Sequence, residues 1–288
     1  MEVGLLMLAG GVAARAFGSL LGLGGGLLIV PLLSLGFGLP LRDAVGVSLV
    51  CVIVTSGASA GVFLQRRQAN LRLGMVLELF TGIGAVIGGA IAFLLDERLL
   101  AVVFALLLVY VAATMARAGR RAAAPSAPSA VAPAAGQAAT NVAAAPGADA
   151  ITVDPNAGTL GLPAKRLRRM PLAAAGSVGG GVASALLGIG GGLVTVPVMH
   201  LTLGVPLRIA TATSNLMVGI TASTSAIVYL MRGGIDAYAT GPTAVGVFIG
   251  ASLGSRLGHR VNLRILRLLF VVVLLYTAVQ MARRGFGL

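Results

Sequence analysis

Two long apolar blocks flank one polar insert along this chain. Each block divides into five hydrophobic segments, at about 4–21, 26–39, 44–64, 73–95 and 99–116, then about 172–187, 192–205, 209–231, 239–255 and 265–282. The third and fourth of each block approach the roughly 20 residues that a helix needs to cross a bilayer. The second of each, about 13 or 14 residues, is too short for a straight crossing and predicts a half-helix or a re-entrant piece. The insert runs from about Arg117 to Met170, and its middle, 122–163, is rich in Ala, Pro, Gly, Ser and Thr without hydrophobic periodicity. That composition predicts a flexible linker. The expected organisation is therefore a first repeat over 1–118, a linker over 119–170 and a second repeat over 171–288.

The blocks are copies of each other. A shift of 166 residues places Gly22-Leu-Gly-Gly-Gly26 on Gly188-Ile-Gly-Gly-Gly192, Val30-Pro31 on Val196-Pro197, and Pro40-Leu-Arg42 on Pro206-Leu-Arg208. The same register pairs Ser48 with Ser214, Gly84 with Gly250, Arg98 with Arg264, Phe104 with Phe270 and Tyr110 with Tyr276. Roughly a third of positions agree over about 100 ungapped residues, which marks an internal duplication.

Composition narrows the class. The chain of 288 residues is 57% hydrophobic and 10% charged, with a mean hydropathy of +0.99. A soluble domain carries about 25% charged residues, so this chain cannot coat a water-soluble globule and reads as an all-α integral membrane protein. Its 42 glycines show no G-X-Y period, which excludes collagen. The net charge of +13 comes without Trp and without a basic-aromatic strip, so nucleic acid is not the expected partner. Arginines in loops that hold cytoplasmic ends explain it better. The single cysteine, Cys51, lies in an apolar run and reads as a small buried hydrophobe. Met1-Glu2-Val3 lacks a basic n-region, so the first apolar segment is expected to be retained.

The loop charges are antisymmetric. After segment three, the first copy carries Arg66, Arg67 and Arg72, whereas the second has Arg232 balanced by Asp236. After segment four the first copy has Asp96, Glu97 and Arg98, and the second has Arg256, Arg260, Arg264 and Arg267 with His259. Positive-inside then puts loops 65–72 and 256–264 both in the cytoplasm, although they are not equivalent loops. That requires the copies to be inverted. Both termini come out extracytoplasmic, which Arg283 and Arg284 fit poorly. The basic borders of the insert, Arg117, Arg120, Arg121, Lys165, Arg166, Arg168 and Arg169, place the linker in the cytoplasm.

Candidate chemistry centres on the two glycine runs. Gly24, Gly25 and Gly26, like Gly190, Gly191 and Gly192, stand before a short apolar helix with Pro at its sixth position. Successive glycines break a helix and let backbones approach. A break in lipid is tolerated where it lines a cavity or is packed in protein, and a helix restarting there points free N–H groups and a positive dipole end into that space. Two inverted copies put two such ends near the midplane, a geometry suited to an anion. The alternative is tight helix packing alone, as Gly18–Gly22, Gly84–Gly88 and Gly250–Gly254 also suggest.

Ser48, Ser214 and Asn215 open the third segments and can donate to an oxyanion, or bond between helices. For Thr55 and Ser56 the interhelical role leads. Arg15, two-thirds along the first segment, either attracts an anion or snorkels to an interface. Its mate position is Gly181, so it stands outside the duplicated machinery. Glu78 either relays a proton or pairs with Arg72, and His200 either titrates in coupling or simply hydrogen-bonds. No Gly-Lys-Ser/Thr, His-Glu-x-x-His or Gly-x-Ser-x-Gly occurs, and no enzyme constellation, metal or cofactor is expected.

The doubled Gly-x-Gly-Gly-Gly, then Val-Pro, then Gly-(Leu/Val)-Pro, then a Ser-bearing helix start resembles the TauE/SafE family of sulfite exporters, also called 4-toluene sulfonate uptake permeases. The resemblance covers both copies. Its motif falls on Gly22, Gly24, Gly25, Gly26, Pro31, Pro40 and Ser48, and on Gly188, Gly190, Gly191, Gly192, Pro197, Pro206 and Ser214. It implies a bacterial or archaeal plasma-membrane carrier for small sulfur-containing anions such as sulfite, thiosulfate or sulfoacetate. The long Ala/Pro linker is unusual beside the compact loops expected there. The residues and the resemblance together predict a secondary transporter with an anion site between the glycine breaks, surrounded by lipid, with proton coupling and oligomeric state left open. A passive anion channel and a non-transporting membrane scaffold are the rival readings.

Overall fold

The structure, a computed structural model, describes residues 2–21, 26–65, 71–121, 170–257 and 263–286. Nearly all of the expected linker lies outside the described residues, as do Gly24 and Gly25. The helices are α1 (Glu2–Leu21), α2 (Gly26–Pro31), α3 (Leu41–Gln65), α4 (Leu71–Leu94) and α5 (Glu97–Arg121) in the first half. The second half has α6 (Met170–Leu187), α7 (Gly192–Leu203), α8 (Leu207–Met231), α9 (Ala237–Leu257) and α10 (Leu263–Phe286). No strand occurs among the described residues. Helices over Arg72–Leu94, Glu97–Thr114, Met170–Leu187, Ile209–Met231 and Leu268–Phe286 are long and apolar enough to cross a membrane. Their outward faces expose Leu79, Leu94, Leu106, Leu230, Met231 and Leu268. An apolar exterior suits lipid, and closed helices satisfy the backbone there, so the chain is an all-α integral membrane protein.

The second segments are short, as expected. In the first copy Pro31 ends α2 and the chain widens into a π turn over Leu32–Gly36. Proline has no N–H to give the carbonyl four residues back, and its ring crowds that carbonyl, so a wider turn follows. In the second copy α7 keeps α-helical geometry through Pro197 and stops at Gly204, whose φ of 60° only glycine adopts cheaply.

Helices from the two copies are interleaved. The first helix of each copy packs on the fourth of the other: α1 on α9, and α6 on α4. Glycines make these seams close. Gly84 meets the Val178 backbone and Gly250 meets the Val12 backbone, equivalent contacts once the copies are exchanged. A Cβ at Gly88 would stand 2.6 Å from the Val182 carbonyl oxygen. Small residues of this kind let transmembrane backbones approach and gain packing. Both seams run in the same chain sense, since 84 and 88 follow 178 and 182.

Equivalent helices meet in the opposite sense. On α3 and α8, Ser56 contacts Asn215 and Gly219, while Val52 and its mate Val218 both approach Gly190. The two helices therefore cross antiparallel near their middles. On α5 and α10, Gly285 at the end of one lies against Arg98 and Val102 at the start of the other. Followed through, these contacts bring the helix ends at Gln65, Leu71, Leu257 and Leu263 to one end of the bundle, and those at Glu2 and Phe286 to the other.

At that second end, Arg284 donates from Nη1 to the Ser34 carbonyl at 3.0 Å and to Ser34 Oγ at 2.6 Å. This tie accounts for one of the two arginines that sat badly with the charge rule: it fastens α10 to the π turn. Glu97 Oε1 accepts the Leu41 N–H at 2.6 Å, capping the first turn of α3.

Candidate functional site

Gly188, Gly190 and Gly191 have φ values of 68°, 81° and 76°. Three left-handed residues within four turn the chain sharply between α6 and α7, a path nearly closed to residues with a Cβ. The Gly188 N–H closes α6 on the Ser184 carbonyl at 2.9 Å. Gly191 then opens α7: its carbonyl accepts the N–H groups of Val194 and Thr195 and, at 2.8 Å, the Thr195 hydroxyl. The first amides of α7, those of Gly192 and Leu193, have no acceptor within the helix by its geometry. The break expected at the second glycine run is present. Of the first run, only Gly26 belongs to the described residues.

The kink is packed against the crossing of α3 and α8. A Cβ at Gly26 would lie 2.7 Å from the Gly188 carbonyl oxygen, so the start of α2 rests on the kink of the other copy. A Cβ at Gly190 would meet Val218 at 2.6 Å and Val52 at 2.7 Å. At Gly192 it would meet the Ser214 hydroxyl at 3.3 Å. Gly26, Ser48, Gly190, Gly191, Gly192 and Ser214 thus form one cluster, drawn from both copies and centred on the middle of the bundle.

The two mate serines have different environments. Ser48 Oγ donates to the Gly188 carbonyl at 2.8 Å, with the Gly26 carbonyl a more distant second acceptor at 3.3 Å. Its single proton is committed to holding the kink. Ser214 Oγ, buried at 2% exposure, has no hydrogen-bond partner among the described residues, and neither does the Asn215 side-chain amide nitrogen. Asn215 is fixed by its backbone instead, its carbonyl accepting the Ser56 hydroxyl at 2.7 Å. Thr55 bonds back to the Val52 carbonyl within its own helix. Ser48→Ala is expected to leave the Gly188 carbonyl buried and unpaired, a cost of about 1–3 kcal/mol. Its measure is a lower melting point of the purified protein, and an unchanged one would remove the clamp.

Arg15 is buried at 7% exposure, and its Nε has no hydrogen-bond partner among the described residues. The side chain therefore turns into the bundle and does not snorkel. Among the described residues no carboxylate pairs with it.

Glu78 does not take Arg72, the partner its sequence neighbourhood suggested. Its Oε1 accepts the Thr221 hydroxyl at 2.7 Å, and its Oε2 is buried without a partner among the described residues. No local signal marks that pairing, because the two residues lie 143 positions apart. His200 is exposed and bonds from Nδ1 to the Val205 carbonyl at 2.9 Å, tying off the end of α7. A cavity of about 160 Å³ opens elsewhere, at the Arg284 end, lined by Leu41, Glu97, Arg98, Ala101 and Arg284. The kink residues are packed shut: Ser48, Gly188, Gly190, Gly191, Ser214 and Asn215 are all buried.

The family described as "Sulfite exporter TauE/SafE" matches residues 6–281. A relative from Bacillus subtilis (strain 168), named "Probable membrane transporter protein YunE", is 22% identical over 282 residues, covering 96% of each chain. No solved structure matches the chain. The chain belongs to the TauE/SafE family, a family of membrane transporters.

Proposed function

We propose that this TauE/SafE protein is a secondary transporter of a small sulfur-containing anion, sulfite, thiosulfate or an organosulfonate such as sulfoacetate. It works by alternating access around the kink between α6 and α7. One observation carries the reading. Among the described residues, Ser214 Oγ, Asn215 Nδ2 and Arg15 Nε are donors buried without partners, and no described carboxylate answers them. Buried polar groups are normally bonded, and an unpaired donor costs about 1–3 kcal/mol. Orphan donors beside the kink, as Ser214 and its neighbour Asn215 supply, fit a ligand that accepts hydrogen bonds, and the buried charge of Arg15 on α1 favours a negative one. The N-terminal amides of α7 add a positive dipole end to the same place. The family description favours sulfite and its relatives among such anions.

The antiparallel crossings of α3 with α8 and of α5 with α10 support inverted repeats, with the membrane plane through Val52 and Val218. The helix ends at Gln65, Leu71, Leu257 and Leu263, which border the arginine-bearing stretches of the sequence, share one end, and this supports a cytoplasmic face there, with the linker joining on the same side. The setting is a bacterial or archaeal plasma membrane. The packed kink speaks for a carrier that opens to one side at a time, rather than for an open pore.

Anion-dependent thermal stabilisation tests the reading. A ligand at 100 times its Kd stabilises the folded state by about 2.7 kcal/mol. Sulfite, thiosulfate, sulfoacetate, taurine and lactate are screened on the purified protein. The expected result is a raised melting point with at least one sulfur oxyanion and none with lactate. A flat response to all five favours the scaffold, and conductance at channel rates in lipid bilayers favours the channel.

A further inference from the structure

We propose that Glu78, held by Thr221 in the seam between α4 and α8, is the carboxyl that binds a proton co-transported with the anion. This rests on the transport reading above. Glu78 is 6% exposed on a helix with the outward, lipid-facing neighbours Met75, Val76 and Leu79, so its carboxyl is carried inward, while the nearby buried Thr81 is already bonded to the Leu77 carbonyl. Oε1 takes the Thr221 hydroxyl proton at 2.7 Å, and Oε2 has nothing.

Among the described residues, the elements packed against α4 offer no counter-charge near Glu78. On α6 there is no titratable residue at all. On α8 the only ones are Arg208, in the first turn, and Tyr229, near the end, whose hydroxyl donates to the Ala185 carbonyl at 2.9 Å. On α4 itself Arg72 is exposed, more than a turn away. An ionised carboxylate with one hydrogen bond and no cation is expensive in such a place, whereas the neutral acid leaves only one weak polar atom unpaired. The packed conformation therefore holds Glu78 protonated, and the carboxylate forms when the α4–α8 seam opens to water.

The link to the anion runs along α8. Thr221 lies six residues beyond Asn215, about 9 Å along the helix axis. An anion beside Asn215 and a carboxylate at Glu78 repel each other through a medium of low dielectric. Anion binding therefore raises the affinity of Glu78 for a proton, and by linkage a bound proton raises the affinity for the anion. The proton comes from water on the side where the seam opens and leaves to water on the other. The mate position of Glu78 is Ala244, so the device exists once, in a seam that the duplication would otherwise make symmetric.

The full chain is reconstituted in liposomes and compared with Glu78→Gln, using labelled sulfite and, in parallel, labelled sulfoacetate. The wild type is expected to accumulate anion when the loading side is acid. The variant is expected to keep anion counterflow within about threefold while losing about tenfold or more of the pH-driven accumulation. Accumulation by the variant equal to that of the wild type overturns the proposal, as does wild-type counterflow that a pH gradient leaves unchanged. A second readout needs no substrate: the infrared carbonyl stretch of a protonated carboxylic acid at neutral pH. It is expected in the wild type, absent in Glu78→Gln and moved to higher frequency in Thr221→Val, where the hydroxyl donor is gone. If the wild type shows no counterflow of either probe, the transport reading fails, and the infrared band alone then decides whether Glu78 holds a proton.

Discussion

Gly190→Val will abolish anion flux while the chain still inserts in the membrane. At a φ of 81° a β-branched residue is strained by about 1–3 kcal/mol. The space is also taken, because the new Cβ would stand 2.6 Å from Val218 and 2.7 Å from Val52. Those valines sit where α3 and α8 cross, so they yield only if the crossing spreads. Overpacking of this kind adds about 1–3 kcal/mol. The kink then loses its left-handed path, and the amides that open α7 point elsewhere. Measured in liposomes against wild type at matched protein density, flux below about a tenth is expected. Wild-type flux would mean that the kink is mere packing and that the anion travels by another route. Gly233 is the control, since it too has positive φ, at 71°, but nothing stands within 4 Å of its added Cβ. Valine there is expected to cost stability without stopping flux.

Arg15→Gln will weaken anion binding and strengthen the empty protein. Both signs follow from one fact, that the guanidinium is buried and no described carboxylate neutralises it. Burying an unpaired charge destabilises the unliganded fold, so its removal is expected to raise the melting point without ligand. The same charge is satisfied when an anion is present, and a charge-assisted hydrogen bond contributes about 1.5–3 kcal/mol. Its loss corresponds to about 10- to 150-fold in Kd. The ligand-induced rise in melting point should shrink accordingly. An Arg15→Gln protein that binds anion as tightly as wild type would reduce Arg15 to a structural residue. A fall in the unliganded melting point would show that the guanidinium bonds within the fold.

Much of the architecture was legible because glycine and proline act locally. The run Gly188–Gly192 announced a break, and Pro197 with Gly204 bounded a helix that ends within two residues of the expected place. Gly84 and Gly250 announced close seams. The partners across those seams were not legible: nothing in the periodicity of α1 says that it packs on α9 of the other copy. The π turn after Pro31 was equally hidden, since Pro197 occupies the mate position and leaves α7 regular. At the site, residue type pointed to Ser48 and Ser214 alike, and only the fold separates them. One meets the Gly188 carbonyl and the other meets no acceptor. The Glu78–Thr221 pair required knowing that α4 and α8 run side by side in the same direction.

The interleaving of the copies bears on how the protein is made. When the ribosome has finished the first copy, the partner of α1 does not yet exist, and the small-residue face of that helix, including Gly11 against the Thr243 backbone in the finished protein, meets only lipid. The nascent half cannot settle until α9 has been threaded into the bilayer beside it. Each seam of this kind is therefore completed only after both copies have entered the membrane.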